Sequence, residues 1–396
     1  PYVIPDDWHV VKLGTICVRT SRPNRDGKER PAYSINNKKG FIPQNEQFEE
    51  GSYQDLDKTA YKIVKKGEFA YNPARVNVGS IGRLRDEAEA IVSSLYVCVS
   101  VNSAVDGEYF DAWTKTDDFY KETVRNTEGS VREYLFYENF ANMRMPIPPL
   151  AEQQKIAEIL ATCDRVIELK QKLLEEKRRQ KQWLMQKLLD PSSGVRLPGF
   201  ERSEWIETPL SDLCEFVGGG TPDTSNDEYW HGTIPWISSA DLQEGNIRCI
   251  NATRYITEEA VNNSATKICP ENSILIVSRV GVGKIAIAPT ALCTSQDFIN
   301  LVDVKGNLYF VTLQLQREIQ RILSMSQGTS IKGIASKEIK AMVIELPTRD
   351  EQDTIANVLE CSDREITLIE TEIEAWQQKK KALMQLLLTG LARVNA

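Results

Sequence analysis

The chain repeats itself at half its length. Pro148-Pro149-Leu150-Ala151-Glu152-Gln153-Gln154-Lys155-Ile156-Ala157 returns 199 residues later as Pro347-Thr348-Arg349-Asp350-Glu351-Gln352-Asp353-Thr354-Ile355-Ala356. The same shift carries Leu160 onto Leu359, Asp164-Arg165 onto Asp363-Arg364, and Leu184-Met185-Gln186 onto Leu383-Met384-Gln385. A period near half of 396 residues, held without a gap over this stretch, means a duplicated unit. The segments that open the two halves match as well: Trp8, Leu13 and Cys17 recur at equal spacing as Trp205, Leu210 and Cys214. Each unit is therefore one globular segment followed by one long helix.

In the first helix the apolar residues Ile156, Leu160, Cys163, Ile167, Leu174, Leu184 and Leu188 follow a 4-3 rhythm, which Lys170, Lys177 and Lys181 interrupt. The second runs Ile355, Leu359, Ser362, Ile366, Ile369, Ile373, Trp376, Leu383, Leu387, with Lys380 out of place. This is coiled-coil spacing. A helix of that length spans about 55–60 Å and is unstable with its seam exposed. The two copies are expected to pair with each other, antiparallel, with one globule at each end.

The expected boundaries are 1–145 for the first globule, 146–190 for the first helix, 191–345 for a linker and the second globule, and 346–396 for the second helix. Ile63-Val64, Phe69-Ala70-Tyr71, Ile91-Val92 and Leu95 to Val99 read as short strands. Asp111 to Thr127 reads as a helix turning Trp113, Phe119, Tyr120 and Val124 inward. Arg19 to Arg30 reads as an exposed basic loop, and Asp190 to Phe200 as a flexible linker whose Pro191 stops the helix.

Hydrophobic content of 41% and charged content of 26% suit a soluble globular chain. No apolar run approaches a membrane span and no secretory signal opens the sequence, so a cytoplasmic location is expected. Eight scattered cysteines without a C-x-x-C pair point to reduced thiols rather than structural zinc. The net charge of −8 argues against a simple basic nucleic-acid binder, although a local basic face survives inside such an average. Val282-Gly283-Lys284-Ile285 fails as a phosphate-binding P-loop, because Ser278 stands at the first glycine and Ile285 at the Ser/Thr position. Asn72-Pro73-Ala74-Arg75 is a poor match to the Asn-Pro-Pro-aromatic loop of adenine methyltransferases. His9 and His231 have no evident nucleophile beside them, and no catalytic or metal site is identified.

Gly219-Gly220-Thr221-Pro222, Tyr229-Trp230 and Ile234-Pro235-Trp236-Ile237-Ser238 are similar to the target-recognition domain of the DNA-specificity subunits of type I restriction-modification systems. So are Ile147-Pro148-Pro149-Leu150-x-Glu152-Gln153-x-x-Ile156 and its copy from Leu346. The resemblance covers essentially the whole chain in the order domain, helix, domain, helix. It implies an α+β fold: two α/β target-recognition domains separated by two long helices that pair as an antiparallel coiled coil, with a pseudo-two-fold internal repeat. The first globule lacks the Gly-Gly-Thr-Pro and Trp-Ile-Ser signatures, which marks a different recognition subtype.

The function implied is non-catalytic reading of an asymmetric, bipartite double-stranded DNA site, with the helices fixing the gap. Two modification (methyltransferase) subunits would dock on the helices, joined by restriction (translocase-nuclease) subunits. S-adenosylmethionine, ATP and magnesium are expected on those partners and no cofactor in this chain. The alternatives are a coiled-coil scaffold that binds no DNA, or the specificity subunit of a solitary or type II-like methyltransferase.

Two loops align at a shift of 204: Arg75-x-Asn77-x-Gly79-Ser80, followed by Arg83, and Arg279-x-x-x-Gly283-Lys284. Each is either a DNA-facing loop or a solvated strand connection. Arg22 and Arg25, with Arg19, Lys28 and Arg30, either meet phosphates or solubilise a surface loop. Gly218-Gly219-Gly220 is either a tight turn or a phosphate cradle. Arg132, Thr221, Ser238 and Lys332 complete the expected DNA-binding set, and Trp230 and Trp236 are expected in the core.

Overall fold

A computed structural model describes residues 4–37, 39–47, 58–128, 134–325 and 333–395. It divides into two compact units, Pro1–Leu173 with Glu370–Ala396, and Leu174–Ile369.

In the first unit, β1 (Cys17–Thr20), β2 (Phe69–Tyr71), β3 (Ile81–Arg83) and β4 (Val97–Val101) form an antiparallel sheet in the order β1-β4-β2-β3. Side chains alternate across a strand, and both faces of this sheet are covered. Phe69, Tyr71, Val97 and Val99 face a core built with Phe110, Trp113 and Phe140. Ala70 and Cys98 face the other way, onto Ile35, Val64 and Val92 of a second, five-stranded sheet.

The expected helix from Asp111 is in fact two, Gly107–Trp113 and Asp117–Asn126. Asp106 caps the first by accepting from the Glu108 and Tyr109 amides, and Thr116 caps the second by accepting from the Phe119 amide. The break rotates the second helix out of the expected phase. Trp113 and Phe119 are buried, but Tyr120 and Val124 are exposed.

The second unit repeats the plan. Strands β5 (Glu215–Gly218), β6 (Ile274–Val277), β7 (Ile285–Ile287) and β8 (Phe298–Val302) give the order β5-β8-β6-β7, the same as in the first unit. Ile274, Ile276, Ile285 and Ile287 face a helical core with Phe310, Leu313 and Ile319. Leu275, Val277 and Ala286 face Ile237 and Leu292 on a four-stranded second sheet. The duplication thus reaches the strand order, and the second sheets are where the units differ.

Helices α1 (Leu150–Leu188) and α2 (Arg349–Leu387) have 39 residues each. The glutamine at each start is a lock between helix and globule, which Glu152 joins in the first copy. Gln153 accepts from the Asp106 amide (2.8 Å) and donates to the Pro148 carbonyl (2.9 Å). Gln352 does the same with the Asn307 amide (2.9 Å) and the Pro347 carbonyl (2.9 Å). Glu152, buried, accepts from Trp8 Nε1 (3.1 Å) and from Nε and Nη2 of Arg393 (2.8 and 2.9 Å), whose Nη1 and Nη2 also donate to Asp7.

Within each unit the helix segments run antiparallel. The first unit pairs Lys170 with Glu372 (2.6 Å) and Lys380 with Asp164 (2.5 Å). The second pairs Lys177 with Glu365 (2.7 Å) and Lys181 with Asp363. The four lysines that break the apolar rhythm are therefore cross-helix ion pairs. The linker is pinned: Gln314 and Arg317 donate to the Leu189 carbonyl, and Arg196 donates to those of Pro191 and Val195.

Candidate nucleic-acid interface

The aligned loops occupy the same place in both units. Residues 72–80 join β2 to β3, and residues 278–284 join β6 to β7. Each ends on a left-handed glycine, Gly79 at φ +91° and Gly283 at φ +93°. An added Cβ would lie 3.1 Å from the Asn37 carbonyl oxygen at Gly79 and 2.6 Å from Leu323 Cδ1 at Gly283. Backbone angle favours glycine at both positions, and at Gly79 the neighbouring backbone oxygen does so as well. Each loop is also braced from behind: the Leu135 amide donates to the Pro73 carbonyl (3.0 Å), and the Ile334 amide to that of Ser278 (2.8 Å).

On this frame Arg75 and Arg279 stand exposed, and neither guanidinium forms an ion pair among the described residues. Asn77 is half-buried on a 3-10 turn and lines a 560 Å³ cleft with Gly79, Tyr33, Asn37 and Lys39. Beside each arginine is an exposed valine, Val78 (53%) and Val280 (70%). A cation with a neighbouring methyl group suits guanine edges or phosphates and the thymine methyl. The valines were missed in the sequence because a lone apolar residue in a loop carries no pattern.

Several expected contacts point inward instead. Ser80 is buried and donates to the Ile35 carbonyl (2.8 Å). Arg83 donates to the Gly67 carbonyl (3.1 Å) and pairs with Glu108 (2.5 Å). The Lys284 ammonium donates to the carbonyls of Ser239 (2.9 Å) and Leu242 (3.0 Å). Ser238 closes a capping box on Asp241, its amide at 2.7 Å and its hydroxyl at 2.6 Å. That arrangement, against burial, holds the Asp241 carboxyl below the usual range. These side chains hold the scaffold that presents the loops.

Arg22 pairs with Glu68, whereas Arg25 is exposed without an ion pair among the described residues. Arg30 is not part of a free basic loop. It is clamped by Asp26 (2.7 Å) and Glu89 (2.8 Å) and holds the Asp26 carboxyl well below its ordinary value.

The glycine stretch is close backbone packing, not a phosphate cradle. The Gly219 and Gly220 amides donate to the Phe298 (3.4 Å) and Thr294 (2.9 Å) carbonyls. A Cβ on Gly219 would fall 1.9 Å from the Ser295 oxygen. Thr221 follows, half-buried. Trp236 is in the core, its Nε1 donating to the Gly220 carbonyl (2.9 Å), and Trp230 is half-buried against it. Arg132 and Lys332 lie outside the described residues.

One further surface feature separates the units. Tyr134 and Phe136 stack at 5.7 Å on the segment that braces the first loop, with Phe136 half exposed. The positions 199 residues on are Gly333 and Ala335.

The family model for the Type I restriction modification DNA specificity domain matches residues 5–177 and again residues 202–376. The chain belongs to that family. It is 35% identical over 167 residues to the Type I restriction enzyme MjaIX specificity subunit of Methanocaldococcus jannaschii, covering 40% of this chain and 38% of that one. The Putative type I restriction enzyme MjaX specificity subunit of the same organism is 25% identical over 99% of this chain and 95% of its own length. Among solved structures, the HsdS subunit from Thermoanaerobacter tengcongensis aligns with a TM-score of 0.55 at 18% identity, covering 98% of each chain, which speaks for the fold.

Proposed function

We infer that this chain is the sequence-reading subunit of a type I restriction-modification complex, each globular domain reading one part of a split duplex site. The observation that carries the reading is the double match to the specificity-domain family, once in each half of the chain. It is supported by the equivalent loops, each carrying on a glycine-fixed frame an exposed arginine that forms no ion pair among the described residues. The loops and their flanks differ in sequence, so the two half-sites differ. The long helices act as the spacer and as the docking surface for two modification subunits, with restriction subunits joining them. Methyl transfer and cleavage belong to those partners, which bind S-adenosylmethionine, ATP and magnesium, while this chain supplies recognition.

The test is methylation of a random duplex pool by the chain purified with its modification subunit. One bipartite motif with a fixed gap is the expected result. A single continuous motif would overturn the two-domain reading, and no selected motif, with or without the partner, would favour a scaffold.

A further inference from the structure

The cross-helix ion pairs do not all obey the internal repeat. Lys181–Asp363 and Lys380–Asp164 are copies of one another under the shift of 199. Lys170–Glu372 and Lys177–Glu365 are not: both lysines sit on α1 and both glutamates on α2. The repeat places Ile369 and Trp376 on α2 where α1 has these lysines, and Leu173 and Val166 on α1 where α2 has these glutamates.

This asymmetry distinguishes like from unlike helices. If α1 paired with a second α1 in the same register, Lys170 would face Leu173 and Lys177 would face Val166. If α2 paired with a second α2, Glu372 would face Ile369 and Glu365 would face Trp376. Each like-with-like pair keeps only the two copies of the repeated lysine–aspartate bridge and sets four charges against apolar side chains. The unlike pair satisfies all four bridges. Lys170 and Lys177 are only 25% and 30% exposed in their pairs. Losing the carboxylate therefore costs more than at an open surface, and charges flanking a helical seam are what select partners.

We propose that Lys170–Glu372 and Lys177–Glu365 form a pairing code that makes α1 select α2 and reject another α1, whether α2 comes from the same chain or from a second copy. Any assembly built through these helices then carries one domain of each kind. The code concerns helix pairing alone and holds whether or not the domains read DNA.

The test uses the full chain with a protease site inserted between the exposed Glu201 and Arg202, cleaved after folding. Isotopically heavy and light preparations are unfolded together in urea, refolded, and counted by native mass spectrometry. Fragment 1–201 should pair with fragment 202–396, with fewer than roughly one pair in ten like-with-like. Lys170→Leu with Lys177→Val, which turns the mismatched contacts apolar, should raise 1–201 dimers at least about fivefold. On the intact chain, Lys170→Glu/Lys177→Glu and Glu365→Lys/Glu372→Lys should each lower the melting temperature, and the quadruple variant should recover most of the loss. If the cleaved chain does not refold, this cycle decides alone. Like-with-like dimers at the statistical half, or additive losses in the cycle, overturn the proposal.

Discussion

Arg279 and Lys284 lie five residues apart in one loop, yet the structure gives them opposite duties. Arg279 is exposed and forms no ion pair among the described residues, so Arg279→Ala breaks no ion pair of the described fold. Its loss should fall on DNA. A guanidinium that meets a base edge contributes about 1–3 kcal/mol, or roughly 5- to 150-fold at the position it reads. If it meets a phosphate, the loss is uniform over sequence and the salt slope falls by about one. Lys284→Met instead strips two charge-assisted bonds from the Ser239 and Leu242 carbonyls. That costs on the order of 2–4 kcal/mol of stability and lowers the melting temperature by roughly 5–15 °C, with no change in the bases preferred at temperatures where the domain is folded.

The assay is methylation sequencing of a pool randomised at both half-sites, run for Arg279→Ala, Lys284→Met and Arg75→Ala, beside thermal melts of each. Arg279→Ala and Arg75→Ala should each relax or weaken a different half-site, with melts unchanged. Equal loss at both half-sites from either arginine would refute separate reading. Lys284→Met with an unaltered melt and a relaxed motif would refute the division between presented and presenting residues.

Gly79→Ala and Gly283→Ala each place a Cβ on left-handed backbone, at φ +91° and +93°, so each should lower stability; at Gly79 the Cβ also meets the Asn37 backbone oxygen at 3.1 Å, whereas at Gly283 it meets the movable end of the Leu323 side chain; paired melts check that both fall. Glu152 is pushed up by burial but held below the ordinary glutamate range by Arg393 and Trp8. Its stabilisation is present above the unfolded value and lost as pH falls through the lower folded one. The melting deficit of Arg393→Ala should therefore be full at neutral pH and shrink below pH ~4, and a deficit that is flat with pH would count against this anchor. Four residues inserted into both α1 and α2 at the unit boundary keep the ion pairs in step and add ~6 Å to each helix. The methylated motif should then keep its bases and widen its gap by about two base pairs, and an unchanged gap would show that the helices do not set it.

The sequence disclosed what depends on spacing along one segment and hid what depends on where a side chain points. The duplication, the helices and the two glycine-ended loops were legible, because periodicity and left-handed turns are local. Ser80 and Lys284 looked like surface donors because their acceptors, Ile35 and Ser239, lie 45 residues away in each case. Lys170, Lys177, Lys181 and Lys380 looked like defects because a helix read alone does not show which carboxylate an antiparallel neighbour brings opposite. The two copies supply their own control here. Where they agree, as at Gln153 and Gln352 with identical bonds to a preceding carbonyl, the residue serves the shared fold. Where they differ on an equivalent backbone, as Lys170 against Ile369 on the two long helices, the fold accepts either residue. The difference then has to be explained by which DNA each domain meets or which helix each helix selects, and those are the positions where substitution should alter recognition or pairing before it alters stability.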